Sequence, residues 1–238
     1  MLDLPVVILC GGLGTRLRSV VADRPKVMAP VGDEPFLGHL LRHVRRQGGT
    51  EVILSTGYLG EMIEAYAGDG SAWDLAVRYA REPAPLGTGG ALRFAADTMG
   101  LTMPFLAMNG DTFFSGALGR LLAFHQEKPD AGATLALYEV PRADRYGTVQ
   151  TDTSGAVTAF VEKQAGQAEA AWINAGVYVL EPDLIATIPP EKKVSLEREV
   201  FPAWIGRGLY GCRFPEATFL DIGTPEDYAC APAVLNPS

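Results

Sequence analysis

The sequence predicts an α/β fold whose central sheet begins parallel and becomes mixed. Three observations carry this reading. Apolar, β-branched runs alternate with helix-period segments through the first half, the pattern of strands joined by crossover helices. The second half replaces most of those helices with closely spaced strand-like runs. Hydrophobic residues make up 47% and charged residues 20% of 238 positions, an ordinary composition for a chain that buries one sizeable core.

Taken in order, "PVVILCGG" (5–12) is a strand running into a glycine turn, and "FLGHLLRHVRRQG" (36–48) is a helix that Gly48 ends. "EVILSTGY" (51–58) is a strand, "LGEMIEAYAG" (59–68) a helix, and "LAVRYARE" (75–82) a short strand. "TGGALRFAADTMG" (88–100) forms the next helix, followed by the strand "PFLAMNGD" (104–111). Beyond it, "ATLALYEV", "YGTVQTD", "AVTAFVEK" and "AGVYVLE" read as strands with few helices between them. "SLEREVFPAWIGRG" (195–208) restores a helix, "LYGCRFPE" and "ATFLDIG" add two strands, and "TPEDYACAPAVL" (224–235) closes with a helix. No repeat or low-complexity linker interrupts the chain, so one domain over 1–238 is expected; "KQAGQAEAA" (163–171) is the expected mobile loop.

The formal net charge of -8 excludes broad nucleic-acid binding by phosphate neutralisation. Cys10, Cys212 and Cys230 lie far apart without metal-ligand spacing and read as reduced thiols of a cytoplasmic protein. The first residues show an apolar run and a glycine turn without a basic leader, which reads as a strand and not a signal peptide. No apolar run approaches the length of about 18 residues that a membrane span needs.

Against the acidic background, residues 11–30 gather Arg16, Arg18, Arg24 and Lys26 with Asp23 as the one acid. Gly11, Gly12 and Gly14 directly follow the first strand, where glycines let backbone N–H groups approach an anion. By itself the cluster suits a tight structural turn as well as a phosphate site. A dinucleotide fingerprint is disfavoured, because Leu17 stands where a third glycine belongs and "STGY" ends the second strand without an acid for a ribose. A Walker loop lacks its lysine. The remaining arrangement, Arg16 behind the turn and Lys26 ten residues on, favours a phosphate ligand over a solvated basic face. Pro25, Pro30 and Pro35 disfavour one continuous helix, leaving either a loop that brings Lys26 over a site or a plain surface connection.

Asp111 and Asp221 each close an apolar strand beside a glycine. Singly, each reads as a turn or cap residue; as a pair next to a phosphate candidate they favour a Mg2+ site, since that ion takes one or two carboxylates together with substrate phosphates. His39 and His43 share a helix face but lack a third ligand and read as helix-surface residues. No Ser–His or Cys–His pair suggests covalent catalysis. A phosphate monoester needs no general base, because its second pKa is already about 6.

At this point the motifs resemble a known family. "LCGGLGTRLRSVVADRPKVMAPVGDEPFL", "PLGTGGAL", "MNGDTFF", "YGTV", "FVEK", "INAGVYVL" and "DIGTPEDY" resemble, in this order and over nearly the whole chain, the sugar-1-phosphate nucleotidyltransferases. The resemblance implies a Rossmann-like three-layer α/β/α sandwich with a mostly parallel, mixed sheet, the nucleotide-diphospho-sugar transferase fold. Its nucleotide-binding half would run to about 112 and its sugar-binding half from about 113 to 238. It also implies the reaction of an NTP with a sugar 1-phosphate to give an NDP-sugar and pyrophosphate.

Residue by residue, the resemblance places Gly11, Gly12 and Gly14 around the nucleotide, Arg16 on the triphosphate and Lys26 at the α-phosphate. Gly87 and Thr88 would lie near the base, with Cys10, Thr15, Glu82, Asn109 and Gly110 also on the nucleotide side. Asp111 and Asp221 match magnesium ligands. Lys163 would hold the sugar phosphate and Glu162 a sugar hydroxyl; without the resemblance this pair reads as surface. Gly147 and Asn174 match positions lining the sugar pocket.

Within the family, the glycine turn, "PLGTGGA", "NGDTFF" and Ser195–Leu196–Glu197 look most like D-glycero-α-D-manno-heptose 1-phosphate guanylyltransferases, which use GTP and serve cell-surface polysaccharide synthesis. N-acetylmuramate 1-phosphate uridylyltransferases and mannose 1-phosphate guanylyltransferases are close alternatives. Base preference is expected in the 82–90 loop through backbone groups. A nucleotide-sugar-sensing regulatory subunit on the same fold is the non-enzyme alternative; it should have lost a metal carboxylate or a site lysine, yet Lys26, Asp111, Lys163 and Asp221 are all present. The resemblance is compatible with a homodimer, and Arg18 and Arg24 read as surface residues.

Overall fold

The computed structural model describes residues 2–12, 17, 20–21, 23–142, 146–161 and 169–235. Strand β1 (Val6–Leu9) leads into the glycine turn. The proline-rich connection then forms a 3-10 turn (Lys26–Met28) and two short strands, β2 (Pro30–Val31) and β3 (Glu34–Pro35). Each proline sits where an unpaired backbone nitrogen does no harm, and the third fixes the extended residue before α1 (Phe36–Arg46).

The first half continues with β4 (Glu51–Thr56), α2 (Gly60–Ala67), β5 (Ala76–Arg81), α3 (Gly87–Met99), β6 (Phe105–Asn109), β7 (Thr112–Phe114) and α4 (Leu118–Gln126). The second half supplies β8 (Ala133–Val140), β9 (Thr148–Thr151), β10 (Val157–Val161), β11 (Ala171–Leu180) and α5 (Pro182–Ala186). It ends with α6 (Phe201–Trp204), β12 (Leu209–Arg213), β13 (Phe219–Asp221) and α7 (Pro225–Leu235).

The main sheet has nine strands. β5, β4, β1 and β6 are mutually parallel neighbours, and β11 then joins β6 antiparallel. β8 lies along β11, and β12 lies parallel to β8. The β9–β10 hairpin meets the first half of β11, with Ile173 opposite Thr148. The parallel half arises from helix crossovers and the mixed half from direct strand returns, as the sequence pattern predicts.

Alternate residues of β1 point to two different apolar layers. Val6 and Ile8 pack with Leu37, Leu41 and Leu121 from α1 and α4, whereas Val7 packs with Leu92, Ala95 and Phe201 from α3 and α6. A strand covered on both faces reads as an unbroken apolar run, and "VVIL" is one. The result is a three-layer α/β/α arrangement.

Three expectations need correction. β7 and α4 fall where only a strand end and a connection are expected; β7 exists because it pairs with the sequence-distant β13. The single helix expected over 195–208 is a π-helical turn (Leu196–Val200) followed by the four-residue α6, since Pro202 lacks an N–H and side chains tie the preceding turn. His39 and His43 turn inward: His39 Nε2 lies 3.1 Å from the Val31 carbonyl, and His43 is 8% exposed. Cys10 and Cys212 are buried thiols and Cys230 is exposed, all three free.

Candidate active site

Four parallel strands deliver their carboxyl ends to one edge of the sheet, where ligands collect in folds of this kind. The ladder continues just past those ends: Cys10 N donates to Ser55 O at 2.8 Å, Glu82 N to Thr56 O at 2.8 Å, and Gly110 N to Leu9 O at 3.0 Å. The residues after β1, β4, β5 and β6 are thereby held side by side.

A cavity of about 340 Å³ opens on the β1–β4–β5 side, lined by Gly11, Gly57, Tyr58, Glu82 and the Pro83–Pro85 loop. Glu82 dominates its chemistry. Its Oε2 accepts from Leu86 N at 3.0 Å, and its Oε1 lies 3.4 Å from Ser55 Oγ. A Cβ on Gly11 would come within 2.3 Å of Glu82 Oε1, so a side chain at position 11 would push the carboxylate from its present place. Burial pushes the Glu82 carboxyl above its ordinary pKa, opposed by the hydrogen bonds from Leu86 and Ser55.

A larger cavity of about 670 Å³ opens beyond β6, lined among others by Asn109, Gly147, Val161, Asn174, Glu197 and Arg198. Its floor is tied together. Asn174 Oδ1 accepts from Gly176 N at 2.9 Å, and its Nδ2 donates to the buried Tyr178 hydroxyl at 2.9 Å. The ladder between β11 and β8 shifts register between Asn174 and Tyr178, an irregularity of the kind that re-aims side chains at functional edges. Asn109 Oδ1 is buried without a hydrogen-bond partner among the described residues. Burial drives the Tyr178 hydroxyl well above its ordinary pKa, and the Glu197 and Asp111 carboxylates nearby add to the rise.

Just past the end of β6, two residues beyond Asn109, Lys26 Nζ meets Asp111 Oδ2 at 2.6 Å. The lysine side chain is 11% exposed and the aspartate side chain 35%, a partly buried pair. Asp221 reaches the same place from a remote part of the chain. β13 runs antiparallel to β7 with Asp221 opposite Thr112, and Ile222 N donates to Asp111 O at 2.9 Å. Asp221 Oδ1 accepts from Gly223 N at 2.6 Å. No group of three or more His, Cys, Asp or Glu suited to a metal occurs among the described residues. Two carboxylates on adjoining strands fit an ion that takes its remaining oxygens from phosphates and water. Cys10 lies close behind; burial raises its pKa, and the Asp111 and Glu82 charges raise it further, so it remains a neutral packing thiol.

The structure therefore groups Cys10, Gly11, Glu82, Asn109, Gly110, Lys26, Asp111, Asp221, Gly147 and Asn174 around one edge. Asn109, expected on the nucleotide side, lines the larger cavity. Gly87 and Thr88 lie behind the smaller cavity: Val194 N donates to Leu86 O at 2.9 Å, and Gly89 N to Val194 O at 2.9 Å. Gly14, Thr15, Arg16, Arg18, Glu162 and Lys163 lie outside the described residues, as does most of the 163–171 segment. Arg24 pairs with its neighbour Asp23 at 2.9 Å. Tyr58, Glu197 and Arg198 are cavity residues that the sequence did not single out chemically. A lone Glu–Arg pair in a helix-period segment reads as a solvated face, and the Ser195–Leu196–Glu197 resemblance was the one signal.

The family profile described as nucleotidyl transferase matches residues 5–236. The chain is 42% identical to a mannose-1-phosphate guanylyltransferase of Mycobacterium tuberculosis over 96% of this chain but 64% of that protein, thus less than two thirds of its length. It is 37% identical to a D-glycero-alpha-D-manno-heptose 1-phosphate guanylyltransferase of Campylobacter jejuni, covering 93% of this chain and 96% of that one. Among solved structures, HddC from Yersinia pseudotuberculosis, crystallised with GMP-PN, superposes with a TM-score of 0.83 at 33% identity, over 96% of this chain and 98% of that one.

Proposed function

Because the chain belongs to the nucleotidyl transferase family, we propose that it transfers a guanylyl group from GTP to a manno-configured sugar 1-phosphate. The first candidate acceptor is D-glycero-α-D-manno-heptose 1-phosphate, and the products are the GDP-sugar and pyrophosphate. The observation that carries this reading is that the adjacent strands β1 and β6 end at two cavities, one lined by Gly11 and Glu82 and the other by Asn109 and Asn174, with the Lys26–Asp111 pair just past the end of β6. Two cavities at neighbouring strand ends suit one substrate in each and a reacting phosphorus at the strand ends they share.

The smaller cavity supports guanine. An ionised carboxylate only accepts hydrogen bonds, and guanine offers adjacent N–H donors, whereas uracil flanks one N–H with two carbonyls. Glu82 is that acceptor. The preference thus rests on a side chain, and not on the backbone alone.

The acceptor phosphate attacks the α-phosphorus of GTP, the new P–O bond forms, and pyrophosphate leaves with the electrons of the broken bond. Both partners are anions, so the protein's task is to hold them in line and offset their repulsion. Lys26 exchanges Asp111 for a phosphate oxygen as charge gathers there. Arg16 and Lys163 would add cations on the triphosphate and on the sugar phosphate. Asp111 and Asp221 would hold a magnesium ion, which when bound draws charge from the phosphate oxygens. Mannose 1-phosphate is the second candidate acceptor, supported by the relative at 42% identity. No helix among the described residues is long and apolar enough to cross a membrane.

Replacing Asp111 or Asp221 with Ala tests the site. Turnover is expected to fall by about two orders of magnitude or more while the circular dichroism spectrum is retained. Near-normal rates in either variant would remove that residue from the site.

A further inference from the structure

The first turn of α3, which follows the Pro83–Pro85 loop of the smaller cavity, and the wall of the larger cavity are joined by one side chain. Thr88 Oγ1 donates to Glu197 Oε2 at 2.8 Å and accepts from Leu196 N at 2.9 Å, so its one proton is committed to the carboxylate. Ser195 Oγ also donates to Glu197 Oε2 at 2.8 Å. Glu197 Oε1 receives no hydrogen bond from a described residue, and Glu197 lines the larger cavity. The carboxylate is therefore clamped by one oxygen and presents the other.

The surroundings hold this arrangement rigidly. Gly87 adopts a φ of 71°, and a Cβ there would lie 2.6 Å from Val194 O, so only glycine lets the two segments touch. Ser195 N donates to Glu199 Oε1 at 2.8 Å, and Ser195 Oγ accepts from Arg198 N at 3.3 Å. These bonds fix a π-helical turn, a rare local geometry that recurs at functional sites. Glu197 and Asn174 line the same cavity.

We propose that Glu197 binds sugar hydroxyls through Oε1, and that Thr88 is the positioning residue that aims it. This rests on the sugar 1-phosphate reading of the larger cavity. A carboxylate accepting from vicinal hydroxyls suits a polyhydroxylated ring, and tying it to the first turn of α3 couples sugar selection to the segment that follows the smaller cavity's loop. A threonine in the first turn of α3 thereby acts on the sugar and not on the base.

The test is steady-state pyrophosphate release with both substrates varied. Wild type is assayed first with GTP and the heptose and mannose 1-phosphates; no turnover with either rejects the function and this proposal together. Given turnover, Glu197→Gln is expected to raise the sugar 1-phosphate KM by about tenfold or more, the loss typical of a charge-assisted hydrogen bond, and the GTP KM by less than about twofold. Thr88→Val should raise the sugar KM in the same direction, and Thr88→Ser should restore it. The double variant Thr88→Val/Glu197→Gln should be no worse than Glu197→Gln alone, because the two act as one unit. An unchanged sugar KM in Glu197→Gln, equal rises in both KM values, or additive effects would overturn the proposal while leaving the proposed reaction standing.

Discussion

Glu82 brings a carboxylate into the smaller cavity, next to Gly11 and bonded to Leu86 N at 3.0 Å. Converting it to glutamine keeps its size and gives it a donor in place of an acceptor. Glu82→Gln is expected to lower the GTP-over-UTP ratio of kcat/KM by about tenfold or more, the range for mismatched buried hydrogen bonds. Competition assays with the two nucleotides read this ratio, and an unchanged ratio would return base selection to the backbone. Because burial raises the Glu82 pKa, GTP binding should weaken as pH falls toward it, and the glutamine variant should lack that dependence. The sequence made the cations and aspartates legible as residue types in a suggestive order. It did not show that Lys26 and Asp111 share an ion pair, because 85 positions separate them.

At the scale of the element, α1 carries a buried base. His43 is 8% exposed, packs edge-on against Phe113 of β7 at 5.0 Å, and its Nε2 has no partner among the described residues. Burial, with a smaller contribution from Arg46, lowers its pKa to about 4. The unfolded chain binds a proton there near the ordinary value of 6.5, so between those values the unfolded state holds more protons. Stability is then full above 6.5 and falls as pH drops toward 4, by about 2 kcal/mol at pH 5. Urea unfolding of wild type and His43→Leu at pH 7 and pH 5 checks this: the leucine variant should lose most of the pH dependence, and equal slopes in both proteins would contradict it. The helix itself was legible from its 3.6-residue apolar period, but its inward histidines were not. A histidine spaced like its polar neighbours looks solvent-facing until β7 is known to pack there.

For the whole molecule, the parallel half was readable because local alternation of strand and helix dictates right-handed crossovers, and crossovers dictate neighbours. The mixed half was readable as strands but not as a topology. β11 meets β6, β8 and β9, and β7 exists only through β13, pairings that no local pattern encodes. The site is built on both kinds of contact, with glycine turns from the local part and Asp221, Glu197 and Asn174 from the non-local part. The two cavities at the ends of β1 and β6 follow from that assembly, and the proposed reaction follows from the cavities. The measurement that tests it most directly is pyrophosphate release over GTP, UTP, ATP, CTP and dTTP crossed with heptose, mannose, glucose and N-acetylmuramate 1-phosphates, with magnesium present. Guanylyl transfer predicts turnover with GTP and a manno-configured acceptor far above every other pair. Turnover dominated by UTP or by a non-manno acceptor, or none with any pair, would contradict it.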